Sequence, residues 1–505
     1  MDTKALRQKI LDLATRGKLV PQDPNDEPAS VLLERIRAEK QQMVKDGKLK
    51  PKDIKNDTII FVGEDNLHYE KFQDGTVKCI ENEIPFEVPE GWAWCRLKHV
   101  CTMAAGKAKP TDQIMTEPFE GCYPCFGGNG IRGYVDEYNQ DGIFSIVGRQ
   151  GALCGNINIA KGKFYATEHA VVTTLFSGID FNWSNYVLEA LQLNSYATGA
   201  AQPGLSVANV LNVFVPVPPT QEQVHIGIRI AESIKIIENI EDEKENLQTL
   251  ISSAKSKILD LAIRGKLVSQ NPNDEPASVL LERIRAEKEE LIKQGKIKRD
   301  KKESIIFKGE DNSYYLKTGD ITEPLEDWEL DGLPDSWSFC CLGEICDYGN
   351  CINVATVDID DSAWILDLED IEKDTGIVLQ KVRKAKRNSI STKHLFHKGQ
   401  VLYSKLRPYL NKVVLADEDG YCTSEILPLD FQENIIPQYA RYYLMSPTFL
   451  QYTNKCSYGV KMPRLGTVDG KKTIITLPPL AEQKRIVKAI ETIFAQLDEI
   501  SNAIA

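Results

Sequence analysis

KILDLATRGKLVPQDPNDEPASVLLERIRAEK, residues Lys9–Lys40, returns as KILDLAIRGKLVSQNPNDEPASVLLERIRAEK at Lys257–Lys288. The copies differ only at Thr15/Ile263, Pro21/Ser269 and Asp23/Asn271. A repeat half a chain apart in 505 residues marks two copies of one architectural unit, not a solenoid of short repeats. Two like units in one chain suit a target that itself comes in two halves.

Upstream of the second copy, apolar residues fall at Ile226, Ile230, Ile237, Ile240, Leu247, Ile251, Ala254, Ile258 and Leu261. The four–three spacing, broken only by Ser233 and Lys244, predicts a helix from Gln221 to about Leu261 with a heptad seam that packs on another helix. Such a seam spans on the order of 50 Å at ~1.5 Å per residue. Ile486, Ile490, Ile493, Leu497, Ile500 and Ile504 continue the spacing at the C-terminus, in register with the first half of that helix. Leu6, Ile10 and Leu13 match its second half, at Ala254, Ile258 and Leu261. Laid end to end, the termini rebuild one copy of the central helix, and this composite is its natural partner.

Each repeat opens a charged segment of about seventy residues. A Pro-Asn-Asp-Glu-Pro turn (24–28, 272–276) precedes a capping Ser and the helical pattern SVLLERIRAEK. Lysine-rich loops and the strand-like runs TIIFVGEDN (58–66) and SIIFKGEDN (304–312) follow. Near-identity suits one task done twice, such as docking two copies of one partner; a duplication under no constraint is the alternative. The globular parts open with PEGWAWCRLKHVC (89–101) and PDSWSFCCLGEIC (334–346) and close with VPVPPTQEQ (215–223) and ITLPPLAEQ (475–483). Between these brackets the two differ almost completely, as two readers of different sequences would. Short β-branched and aromatic runs broken by Gly and Asn predict β-rich α+β domains.

Apolar content of 42% and charged content of 27% are ordinary for globular protein. No run reaches the roughly 18 apolar residues of a membrane span, and the charged N-terminus does not read as a signal peptide. Twelve scattered cysteines read as reduced cytosolic thiols. Cys122 and Cys125 form one CxxC without a second pair at zinc spacing. Net charge is −12, which argues against a phosphate partner; yet Lys381–Lys412 carries many Lys and Arg and no Asp or Glu, and predicts a local positive patch. A solvated face is the alternative.

The chain resembles the specificity subunit of type I restriction–modification enzymes over essentially its whole length. The resemblance rests on the bracket phrases, the heptad helices after each PPxxEQ, and internal phrases. These are YPCFGGNGIRGY (123–134), SIVGRQGALCGNI (145–157) and ATEHAVV (166–172) in the first domain, and LYSKLRPYLNKVVLADEDGYCTSEI (402–426) and GVKMPRL (459–465) in the second. It implies an α+β fold with two β-rich target-recognition domains, separated by an antiparallel pair of long coiled-coil helices in a pseudo-two-fold, circular repeat. The expected parts are an N-terminal helix completing the second spacer arm (1–20), a docking segment (21–84), recognition domain 1 (85–220), the central spacer (221–265), a second docking segment (266–329), recognition domain 2 (330–480) and a C-terminal spacer (481–505). Each domain would read one half of a split site on double-stranded DNA, and the helices would set the gap. Two modification subunits would methylate adenine and two motor-nuclease subunits would restrict, using S-adenosylmethionine, ATP and Mg, in the cytoplasm and away from membranes; no cofactor is expected in this chain. The long charged segments depart from the family's usual pattern.

Catalytic motifs are sparse. There is no GxxxxGK[ST] loop, no NPPY- or DPPY-like run and no HExxH, which favours a non-catalytic binding subunit. His394 and His397 are expected on a DNA-facing or solvated surface, and Glu168–His169 in a structural or base-reading role. DNA contacts are expected from Asn129, Arg132, Arg149, Gln150, His169 and Gln202 in the first domain, because Lys and Arg neutralise phosphates while Arg, Asn and Gln read base edges. In the second they are expected from Ser404, Lys405, Arg407, Tyr409 and Lys412, with Lys461 and Arg464 behind them. Gly127, Gly128 and Gly130 allow either a close backbone approach to DNA or a tight hairpin. Spacer packing is expected from Ile226, Ile230, Ile237, Leu247, Ile251, Ile258, Ile486, Ile493 and Leu497. A bivalent protein-interaction scaffold is the competing reading; a self-contained DNA enzyme is a third.

Overall fold

The computed structural model describes residues 2–151, 153–199, 203–295, 304–311, 313–325, 332–387, 390–431 and 435–504. They form two compact units, Met1–Glu243 and Lys244–Ala505, which divide inside a single 44-residue helix, Thr220–Ile263. That helix is about 66 Å long at ~1.5 Å per residue. Its continuity follows from the sequence, which has no Gly or Pro between Gly227 and Gly265.

In the first unit the helix Thr3–Thr15 is capped by Asp2, whose carboxylate accepts the Ala5 N–H at 2.9 Å. It stops at Gly17, at φ +65°, where a Cβ would run into the Pro89 ring. The helix Ala29–Lys45 buries Leu32 and Ile36. The run beginning at Thr58 becomes the first strand of a small antiparallel meander, Ile59–Val62, His68–Lys71, Val77–Cys79. The main sheet has six strands in the order Cys101–Ala105, Ala170–Leu175, Gln140–Gly148, Ile157–Ala166, Tyr123–Gly127, Gly130–Val135. The helix Phe181–Ala190, capped by Asp180, covers the core through Trp183 and Leu188.

The second unit repeats the frame: helix Ala277–Lys293, then a meander of Ser304–Lys308, Tyr314–Thr318 and Ile321–Pro324. Its domain differs. A five-stranded sheet (Asn353–Val354, Lys393–Phe396, Gly420–Thr423, Trp364–Leu366, Val382–Arg383) accompanies a three-stranded one (Val413–Leu415, Val401–Ser404, Ile426–Leu429). Helices Pro437–Leu444 and Pro447–Cys456 pack beside them.

The bracket phrases have a structural cause. In each unit the opening and closing phrases pair as a two-stranded antiparallel ribbon, Ala93–Arg96 with Phe214–Val217 and Ser338–Cys341 with Ile474–Leu477. The EQ that follows locks this ribbon to the repeat. Glu222 accepts the Trp92 indole N–H at 2.9 Å and the Gln22 amide at 3.0 Å; Glu482 accepts those of Trp337 at 3.0 Å and Gln270 at 2.7 Å. Gln223 accepts the Asp180 N–H and donates to Pro218 O, as Gln483 does with Ile436 and Pro478. All four side chains are buried, and burial pushes both glutamates above their usual pKa against the lowering effect of their donors.

The seam residues divide. Ile226, Ile230, Ile237, Ile251 and Ile486 are buried, while Leu247, Ile258, Ile493 and Leu497 are half-buried. Fully burying an isoleucine such as Ile226 or Ile486 contributes roughly 2 kcal/mol. In the second unit the end of the central helix meets the helix Leu480–Ile504, where Lys255 ion-pairs Asp498 and lies 5.3 Å over the Phe494 ring. The N-terminal helix departs from the expected face. Leu6 is exposed, Ile10 and Leu13 are half-buried, and the neighbouring Leu11 and Ala14 are buried instead. Leu259 and Ala262 do the same in the second unit, because both segments turn toward their domain's core.

Candidate nucleic-acid interface

In the second unit the strand Val401–Ser404 runs into a tight loop. Arg407 takes a left-handed backbone (φ +49°, ψ +61°), Pro408 starts one 3-10 turn, and Asn411 is again left-handed at φ +49°. The Ser404 N–H bonds to Lys412 O at 3.1 Å and closes the loop. A second loop, Tyr458–Arg464, is a miniature hairpin held by two reciprocal backbone bonds of 3.1 and 2.9 Å. The two loops clasp each other: Arg407 N–H to Pro463 O at 2.7 Å, and Leu465 N–H to Lys405 O at 3.0 Å. The Lys405 N–H bonds to Glu425 O at 3.0 Å. Two phrases far apart in sequence therefore form one surface, on which Tyr409, Tyr458, Val460, Lys461 and Met462 are exposed.

The first unit makes the same clasp. Gly148 N–H bonds to Asn156 O (2.9 Å), Arg149 N–H to His169 O (3.0 Å), Gly151 N–H to Pro203 O (3.0 Å) and Leu205 N–H to Arg149 O (2.9 Å). Thr198 and Gly204 exchange reciprocal bonds, and the left-handed positions are Gly151 (φ +92°) and Gly155 (φ +88°). Gly127–Gly130 forms a tight hairpin turn between two strands. Gly128 packs on the backbone of Gln150 and His169, and Asn156 donates to Asn129 Oδ1 at 2.9 Å. Asn129 and Gln150 are exposed beside half-buried Arg149 and His169, whose Nε2 lies 3.2 Å from Glu168 Oε1. Arg132 is exposed and donates to Thr111 Oγ1 at 2.8 Å. Gln202 lies outside the described residues.

Asn156 and Glu425 were not among the expected residues. The signal that finds the clasp in sequence is short: Gly199, Pro203 and Leu205 recur as Gly459, Pro463 and Leu465, a GxxxPxL pattern inside otherwise unlike domains.

Several expectations are corrected. The stretch Lys381–Lys412 is not an open positive patch. Lys381 pairs with Asp417, Arg383 with Glu418, Lys384 with Asp361, Lys393 with Asp367, and Arg387 with Asp367, Glu369 and Asp370. Carboxylates from outside the stretch pair with the cations of its first half, Lys381 to Lys393 apart from Lys386, and leave Lys405 and Arg407 without an ion-pair partner among the described residues. Ser404 is buried and donates to Leu406 O at 2.9 Å, so its hydroxyl serves the loop. Lys412 is half-buried, donates to Leu368 O at 2.6 Å, and burial lowers its pKa. Arg464 makes a forked pair with Glu425. His394 is buried rather than surface-facing: its Nδ1 is 2.8 Å from Ile426 O, and burial holds its pKa below the usual value. His397 is exposed beside Asp419. In the CxxC, Cys125 is buried in a strand and Cys122 Sγ accepts the Phe119 N–H. Among the described residues no helix is long and apolar enough to cross a membrane.

A ribbon-closed domain, a clasped two-loop surface and a following helix, each present twice, define a duplicated recognition module. The chain belongs to the Type I restriction modification DNA specificity domain family, which matches residues 89–249 and 334–505, the two bracketed domains with the helices that follow them. It is 26% identical to the Type I restriction enzyme EcoEI specificity subunit of Escherichia coli, over 99% of this chain and 90% of that one. It is 28% identical to the EcoAI specificity subunit of the same organism, over 69% of this chain and 63% of that one. A shorter match, 46% over 132 residues, covers 26% of this chain and 33% of the E. coli EcoprrI specificity subunit.

Proposed function

We propose that this chain is the non-catalytic DNA-specificity subunit of a type I restriction–modification complex. Each domain reads one half of a bipartite duplex site with its clasped loops. The central helix, partnered by the N- and C-terminal helices as an antiparallel coiled coil, sets the gap. The observation that carries this reading is one backbone clasp presenting two different sets of side chains, as expected of two readers built to one plan for unlike half-sites. The repeated segments dock two modification subunits; two motor-nuclease subunits complete a cytoplasmic assembly, and S-adenosylmethionine, ATP and Mg belong to those partners. Asn129, Arg132, Arg149, Gln150, His169 and Gln202 serve the first half-site. Lys405, Arg407, Tyr409 and Lys461 serve the second.

The test is selection of duplexes from a random pool by the complex of this chain with its modification subunit. Two blocks of fixed sequence at a constant separation are expected. A scaffold without DNA specificity, the reading favoured by the ion pairs that engage Lys381, Arg383, Lys384, Arg387 and Lys393, would select nothing, and that result would overturn the proposal. Affinity for the selected duplex should fall steeply with salt, because bound phosphates release counterions.

A further inference from the structure

The two clasps carry the same backbone bonds under different side chains, so a chemical difference between half-sites can be sought position by position. The bonds match Arg149 to Lys405, Gly151 to Arg407 and His169 to Glu425, and Gly155 corresponds to Asn411 by its place seven residues into the loop and its positive φ. The first match keeps its chemistry: Arg149 and Lys405 are both cations, and neither has an ion-pair partner among the described residues. The second does not. Where the first domain has glycine, the second has arginine in the same left-handed region.

Glycine occupies that region freely; an arginine there is strained, and such strain persists where something other than local stability maintains it. The fold itself does not require the side chain, since the bonds at this position are backbone ones that Gly151 makes equally: N–H to Pro463 O, as Gly151 to Pro203 O, and carbonyl from Leu410 N–H, as Gly151 from Cys154 N–H. The Arg407 side chain has no hydrogen bond or ion pair among the described residues, and its Nε is buried without a partner. Asn411 differs, because its amide donates to Met445 O at 3.2 Å and asparagine tolerates this backbone. Glu425 differs too, because Arg464 holds its carboxylate. Arg407 is thus a strained, uncommitted donor fork on a loop whose neighbour Tyr409 is exposed.

We propose that Arg407 is a specificity-determining residue of the second domain, reading a guanine in its half-site, while Arg149 and Lys405 are equivalent phosphate-contacting residues common to both halves. The inference rests on the DNA-reading function proposed above. A guanidinium fork matches guanine O6 and N7, and a cation kept at one place in both readers suits the phosphate backbone that both half-sites share.

The test uses the full chain in complex with its modification subunit and maps the methylated motif. Arg407→Gly is compatible with the backbone, as Gly151 shows. It should leave the melting temperature at or above that of the unsubstituted chain. It should also relax one guanine of the second half with roughly tenfold or greater loss of discrimination there, the first half being untouched. Arg407→Lys keeps the charge but loses the fork, and should relax the same position. Arg149→Ala and Lys405→Ala should each weaken binding on all sequences and lower the salt slope by about one, with the motif kept. An Arg407→Gly complex with an unchanged second half overturns the assignment, whether its binding is weaker or not; so does full discrimination in Arg407→Lys, and so does a lowered melting temperature with activity lost on every sequence. A complex of the unsubstituted chain that yields no two-part motif refutes the DNA reading itself, which is a distinguishable failure.

Discussion

Glu222→Ala should show what the EQ after each closing strand does. The carboxylate is 2% exposed and accepts two donors, the Trp92 indole at 2.9 Å and the Gln22 amide at 3.0 Å. Removing it deletes two charge-assisted hydrogen bonds of about 1.5–3 kcal/mol each and leaves a buried indole N–H unsatisfied. Against this, the variant no longer buries a carboxylate, a cost visible in the raised pKa of Glu222. The balance is a loss of about 3 kcal/mol, which for a unit of this size lowers its melting temperature by roughly 6–12 °C. Glu222→Gln keeps one acceptor but sets an amide N–H against a donor, so it should fall between the two.

The pH dependence has a definite sign. A glutamate whose folded pKa lies above about 4.5 takes up protons on folding, so its contribution is most favourable below that value and is lost as pH rises through the folded pKa. The stability gap between the unsubstituted chain and Glu222→Ala should therefore shrink as pH is raised through that window. The assay is thermal unfolding followed by tryptophan fluorescence at several pH values. A Glu222→Ala chain melting within a degree or so of the unsubstituted one would refute the reasoning.

Gly265→Ala should cost about 1–2 kcal/mol for its left-handed backbone alone, and more because the added Cβ meets the Pro334 ring; the urea midpoint of the chain checks this. A heptad inserted in the central helix near Lys244 adds about 10 Å and should widen the gap between half-sites by roughly three base pairs, read from the methylated motif; an unchanged gap removes the ruler role. Lys461→Ala should lower the salt slope of DNA binding by about one, while Lys381→Ala, whose ammonium is held by Asp417, should leave it unchanged; equal effects would make the ion-paired part of the basic stretch a DNA surface as well.

The frame of the molecule was legible in the sequence because its signals are local or literal. The duplicated phrase, the four–three seam and the paired brackets can be read without knowing what lies across the fold. The brackets even differ in letters, PEGWAWC against PDSWSFC, yet keep the tryptophan that reaches Glu222 or Glu482. The site was less legible. The first half of the stretch Lys381–Lys412 counts as basic only until Asp361, Asp367, Asp370, Asp417 and Glu418 fold back onto it. Ser404 and His394 have DNA-reading chemistry but inward positions, since alternation along a short strand does not say which face meets the core. The clasp lay almost hidden. Backbone bonds made it, and a left-handed residue can be Gly151 in one domain and Arg407 in the other.

The most direct measurement of the central claim is genome-wide mapping of methylated bases in a host carrying this chain with its modification subunit. Two readers on one plan predict a motif of two unlike blocks separated by a fixed number of unspecified base pairs, and exchange of residues 334–480 for those of a relative should replace one block and keep the other. A single contiguous motif, or an exchange that alters both blocks together, would contradict it.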